Sequence, residues 1–150
     1  MSEKKITIRV YGIWINDINQ VFVTDEYLDK KYFTKLPGGG LEFGESILEC
    51  LKREWKEELN IEIEILEHLY TTDFMQISIF NPNIQVISIY YLVRPIEELK
   101  HKIKNKAFDF NNLEEGAQIF RFIDLEKLDI KEITLPTDQK ALSILKNKYF

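Results

Sequence analysis

The stretch GGLEFGESILECLKREWKEELNI, residues 39–61, decides the fold. Within it Glu54, Glu57 and Glu58 are spaced three and four residues apart, so on a helix their carboxylates project from one side at neighbouring heights. Like charges at that spacing cost an isolated helix ~0.2–0.5 kcal/mol per pair, and a bound cation removes the repulsion. Donors that are all oxygen favour a hard ion, Mg2+ or Mn2+.

Leu48, Leu51, Trp55 and Leu59 recur at the helical period and form the expected buried stripe, with the carboxylates on its flank. Ser46, Ile47 and Leu48 begin the helix, and Glu45 just before it complements the positive end of the helix dipole. Arg53 points away from the acidic side in this reading, and its planar fork suits pinning Glu45 or another carboxylate from the loop. Upstream, Leu36-Pro37-Gly38-Gly39-Gly40 lacks side chains over three residues, which lets backbone carbonyls and amides approach an ion or a phosphate. A solvated acidic helix face, the plainer reading, predicts neither this turn nor the offset of Glu45 from Gly39.

The pattern resembles the Nudix hydrolase signature: a glycine, five residues, Glu, seven residues, Arg-Glu, an aliphatic, any residue, Glu-Glu, any residue, Gly and an aliphatic. Gly39, Glu45, Arg53, Glu54, Glu57, Glu58 and Ile61 fit it, while Trp55 stands for the aliphatic and Asn60 for the glycine. Trp55 keeps an apolar group on the stripe, and asparagine tolerates the left-handed conformation of a helix C-cap.

The resemblance implies an α/β fold, a three-layer α/β/α sandwich with a mixed central sheet, and residues 1–150 as a single domain. It implies water attack on a phosphorus of a diphosphate linked to another group. Glu54, Glu57 and Glu58, with the carbonyl of Gly38 or Gly39, would hold one to three divalent ions. Glu54 is the first choice for the base. A loop glutamate often completes the site in this family, which makes Glu115 the second choice for the base and Glu114 a further metal ligand. The substrate, on family breadth alone, is a nucleoside diphosphate derivative or a nucleoside triphosphate. The alternative is a Nudix-like module that senses a nucleotide or sugar without cleaving it. Pairing of two copies into a homodimer is also conceivable.

The 150 residues are 45% hydrophobic, enough for one domain with a real core. No apolar run is long enough to span a bilayer, and Met1 to Lys5 is too polar for a secretory signal, so a cytoplasmic location is expected. A net charge of −5 and a pI near 5.2 argue against nucleic-acid polymers and anionic membranes as partners. Cys50, the only cysteine, reads as a packing residue, and His68 and His101 read as surface or loop residues.

Around the motif, Lys5 to Ile15 and Gln20 to Thr24 read as strands of a hairpin, and Asp25 to Thr34 as a charged loop entering the glycine turn. Lys35, Tyr32 and Phe33 from this region are the substrate-contact candidates; either ring could stack on a base or pack into the core. Ile61 to Thr71 and Ile84 to Val93 read as strands. Asn81-Pro82-Asn83 reads as a hairpin turn joining Met75 to Phe80 with the latter. Glu97 to Gly116 shows no period and reads as a mobile loop, before a strand over Ile119 to Ile123 and a helix from Pro136 to Lys148.

Overall fold

Strand alternation sets the layers of this protein. In the computed structural model, which describes residues 3–149, the first strand, β1 (Lys5–Ile13), sends Val10 to one side and Tyr11 and Ile13 to the other. Met1 and Ser2, the start of the stretch read against a secretory signal, lie outside the described residues. In β2 (Gln20–Leu28) Phe22 joins Val10, and Val21 and Val23 join Tyr11. The helix α1 (Ile47–Leu59) covers the Val10 side through Leu51, Trp55 and Leu59, whereas α2 (Pro136–Tyr149) covers the Tyr11 side through Ala141, Leu142 and Leu145. A sheet layer between two helices follows, as expected.

That layer consists of two four-stranded mixed sheets. One has β1 between β4 (Gly38–Gly40), antiparallel, and β6 (Ile84–Pro95), parallel, with β5 (Ile63–Thr71) antiparallel outside β6. The other has β2 between β3 (Lys31–Lys35) and β8 (Ala117–Asp124), both antiparallel, with the two-residue β7 (Ile103–Lys104) parallel to β8. Among the described residues no helix is long and apolar enough to cross a membrane.

Several local expectations change. The β1–β2 hairpin exists only next to its turn, where the Phe22 amide donates to the Trp14 carbonyl at 3.0 Å. Beyond it β1 takes nine pairings with β6 and leaves β2 to the other sheet. The expected loop over Asp25 to Thr34 is strand on both sides of a tight turn. Asp29 and Lys30, both left-handed at φ 51° and 60°, reverse the chain so that Leu28 faces Lys31. The Asn81-Pro82-Asn83 turn forms, but the Met75 to Phe80 arm adds only a single bridge, Ile77 to Gln85. The Glu97 to Gly116 segment contains β7 and is tied down where the Phe108 amide donates to Asp25 at 3.0 Å.

Helix α1 starts at a reciprocal cap: Ser46 Oγ accepts from the Glu49 amide and the Glu49 carboxylate from the Ser46 amide. It ends at Asn60, left-handed at φ 52°, as the sequence implied. Leu48, however, is 44% exposed, and Cys50 takes its place on the buried stripe. In the first turn the side chain at 48 faces out, between Ile47 and Cys50, which both lie against the core.

Candidate active site

The antiparallel register of β1 and β4 sets Gly40 opposite Arg9, Gly39 opposite Val10 and Gly38 opposite Tyr11. A side chain at Gly38 would collide with the β1 backbone, 2.1 Å from the Val10 carbonyl oxygen. At Gly39 it would meet the Glu54 carboxyl group at 2.2–2.5 Å. The missing side chain is therefore the space in which the Glu54 carboxylate lies against β4.

Arg53 organises the acidic side. Of the loop carboxylates its fork could pin, it grips Glu45, with two nitrogens at 2.9 and 2.7 Å. Contrary to expectation it does not point away from the other carboxylates, since Nη1 also donates to Glu54 at 2.9 Å and Glu57 at 3.2 Å. The reason is its place directly before Glu54 and one turn before Glu57. Nη2 closes the clamp on the Gly40 carbonyl at 3.0 Å. The Arg53 fork and the Glu42 amide hold the Glu45 carboxyl down to about 2.

Glu58, the third carboxylate, is raised by burial, with Lys35 and Gln118 opposing the shift. The Gln118 amide donates to both Glu58 and Glu26, at 2.5 and 3.0 Å. Burial works against the Lys35 ammonium, but Glu58 and Glu26 outweigh it and hold its pKa above the ordinary lysine value. Burial also pushes the Cys50 thiol up to about 12, consistent with a packing role.

A cavity of about 550 Å3 opens over this group. Glu54, Glu57, Glu58, Gly38 and Lys35 line it, together with Arg9, Glu26 and Gln118, and Phe33 and Phe80 form part of an apolar wall. Tyr32 stays outside, 49% exposed and packed on Tyr27 and Phe108 at 5.0 and 5.3 Å, because alternation along β3 turns it away from the side that Phe33 and Lys35 share. Glu114 and Glu115 are exposed in the turn before β8 and do not line the cavity; Glu115 instead accepts from the Asp29 amide at 2.8 Å.

Arg9, Glu26 and Gln118 were not anticipated. Arg9 had a signal, a charged residue entering the apolar run Val10 to Ile15, whereas Gln118 and Glu26 reach the site only through sheet pairing.

Among the described residues no three acidic, histidine or cysteine side chains converge on one point. Glu54 and Glu57 lean on Arg53, and Glu58 on Gln118. The donor set still fits a hard divalent ion, since these carboxylates and the β4 backbone supply oxygen alone, and the Glu54 cradle over Gly39 keeps donor and backbone together.

The NUDIX domain family model matches residues 6–143. The chain belongs to the Nudix family. With membership goes the reaction class, hydrolysis of a pyrophosphate linkage. Solved structures share the fold of this Nudix chain. A MutT NUDIX hydrolase from Burkholderia pseudomallei superposes at TM-score 0.72 and 16% identity, over 95% of this chain and 99% of that one. The MutT protein of Methanosarcina mazei Go1 gives 0.67 and 19%, covering both chains fully at 100%. An ADP-ribose pyrophosphatase from Streptococcus suis 89-1591 gives 0.57 and 13%, over 96% of this chain and 92% of that one.

Proposed function

We propose that this Nudix chain hydrolyses a phosphoanhydride bond of a nucleoside diphosphate derivative or a nucleoside triphosphate, assisted by Mg2+ or Mn2+. The observation that carries the reading is the Glu54 carboxylate seated over Gly39 while Arg53 locks Glu45, Glu54 and the Gly40 carbonyl into one clamp. The neighbour named an ADP-ribose pyrophosphatase acts, by that name, on a compound of the proposed class.

Held by Glu54, Glu57, Glu58 and the carbonyl of Gly38 or Gly39, a divalent ion would neutralise charge on the diphosphate and acidify the attacking water. The chain's own groups do the rest. Arg53 bonds Oε1 of Glu54, and among the described residues Oε2 has no hydrogen-bond partner, so Oε2 is the atom that takes the proton. Glu115, the other candidate base, is held by the Asp29 amide outside the cavity, which favours Glu54. The same placement leaves Glu114 the weaker ligand. Lys35 sits beside Glu58 and Glu26 to offset negative charge, and Phe80, half exposed and set edge to face on the buried Phe33, offers an apolar ring to a base.

Phosphate release from a nucleotide panel, with and without Mg2+, tests the reading. Turnover should require the ion, and Glu58→Gln should abolish it while the circular dichroism spectrum and melting temperature stay near those of the parent. Near-normal activity in Glu58→Gln removes Glu58 from the ligand set. Binding without phosphate release would favour the sensing module.

A further inference from the structure

Two arginines reach Gly40, and their surroundings differ. Arg53 donates to its carbonyl and spends its remaining donors on Glu45, Glu54 and Glu57. Arg9 lies opposite Gly40 in the register, its Nη1 3.9 Å from where a side chain there would begin. Its Nε donates to the Tyr11 hydroxyl at 2.7 Å, and among the described residues neither terminal nitrogen makes a hydrogen bond or an ion pair. Lys35, the other cation of the cavity, is engaged by Glu26 at 3.6 Å. A guanidinium that lines a cavity, fixed at one nitrogen and free along its outer edge, is prepared to receive two oxygens of an anion.

The anchor is stiff. Tyr11 is buried and stacks on Tyr90 with ring centroids 5.1 Å apart, and the Tyr90 hydroxyl is bonded to Thr137 and Asp138 at the start of α2. Arg9 itself is held between β4 and β6, opposite Gly40 and Ser88. Four carboxylates, Glu26, Glu54, Glu57 and Glu58, line the same cavity, yet none lies within ion-pairing distance of Arg9.

We propose that Arg9 is a substrate-binding residue whose terminal nitrogens receive the phosphoryl group of the diphosphate that the acidic helix does not hold. This rests on the hydrolase reading and deepens it: two phosphoryl groups are fixed at separate places, so the site selects a diphosphate over a monophosphate.

The test is calorimetric titration of the full chain with imidodiphosphate, whose P–N–P bridge replaces the scissile oxygen, and with orthophosphate, both in Mg2+. The parent should bind imidodiphosphate more tightly than orthophosphate. Arg9→Met should raise the imidodiphosphate Kd about tenfold or more, the scale of a charge-assisted hydrogen-bond pair, and remove the preference. Arg9→Lys keeps the charge and the stem without the fork. It guards against a folding defect in Arg9→Met and should raise Kd about threefold. An unchanged Kd in both variants, or no preference in the parent, overturns the proposal. Titration of the parent with Mg2+ alone is a separate arm: absence of Mg2+ uptake sinks the metal-dependent hydrolase reading, while the comparison of Arg9 variants still reports on the anion site.

Discussion

At the scale of single residues, Gly38 and Gly39 stand side by side and do different things. An alanine at Gly39 would place its methyl group 2.2 Å from the Glu54 carboxyl carbon. What must give way is the end of a flexible side chain, so the fold survives and Glu54 is displaced. Gly39→Ala should therefore lower turnover roughly 100-fold, the scale of an ångström's misplacement, with little change in melting temperature. An alanine at Gly38 would instead meet the β1 backbone at 2.1 Å, and there the melting temperature itself should drop. Turnover and thermal melts of the two variants check the pair; equal melting losses would mean that the Gly39 space is structural. Glu54, Glu57 and Glu58 were legible in the sequence as one group because helix geometry makes neighbours of residues three and four apart, whereas the reach of Arg53 to Glu54 was not. Arg9 and Gln118 were not, because sheet pairing brings them in from β1 and β8.

At the scale of elements, α1 is set by its ends as much as by its apolar face. Ser46 Oγ accepts from the Glu49 amide at 3.1 Å, so Ser46→Ala leaves that amide unpaired and should cost about 1 kcal/mol. Urea unfolding should show a lower midpoint with an unchanged slope, and turnover should persist, because Arg53 holds Glu45 independently of the cap. A loss of turnover at full stability would show instead that the cap positions the carboxylates. Both ends of this helix could be read from local chemistry, down to the left-handed Asn60. Strand partners could not. Nothing within Lys5 to Thr24 says that β1 prefers β6 to β2, and Asp29-Lys30 lacks the Asn-Gly or Asp-Gly pairing that signals a two-residue turn. That missed turn also hid which side of β3 faces the cavity, and so separated Tyr32 from Phe33 only in the structure.

At the scale of the whole molecule, one carboxylate joins three elements behind the site. Asp138, in the first turn of α2, accepts from the Leu36 amide at 3.0 Å, just before the glycines of β4, and from the Tyr90 hydroxyl of β6. It is fully buried, and burial raises its carboxyl to about 6, although the Tyr90 and Leu36 hydrogen bonds pull the other way. The sign of the linkage follows. Between the ordinary aspartate value of 3.8 and about 6 the folded protein keeps a proton that the unfolded chain releases, so folding takes up a proton and stability falls as pH rises. Above that window both states are ionised, and roughly 3 kcal/mol of the low-pH stability from this group is gone. Glu45 behaves oppositely: its carboxyl, held at about 2, stabilises above the ordinary 4.5 and loses that contribution as pH falls toward 2. The two are separable by variant. Asp138→Asn keeps an acceptor for the Leu36 amide and cannot ionise, so its stability relative to the parent should improve by up to about 3 kcal/mol between pH 4 and pH 7. Urea unfolding of both proteins at half-unit pH steps measures it, and a difference that stays flat across that range would show that Asp138 titrates as an ordinary carboxylate.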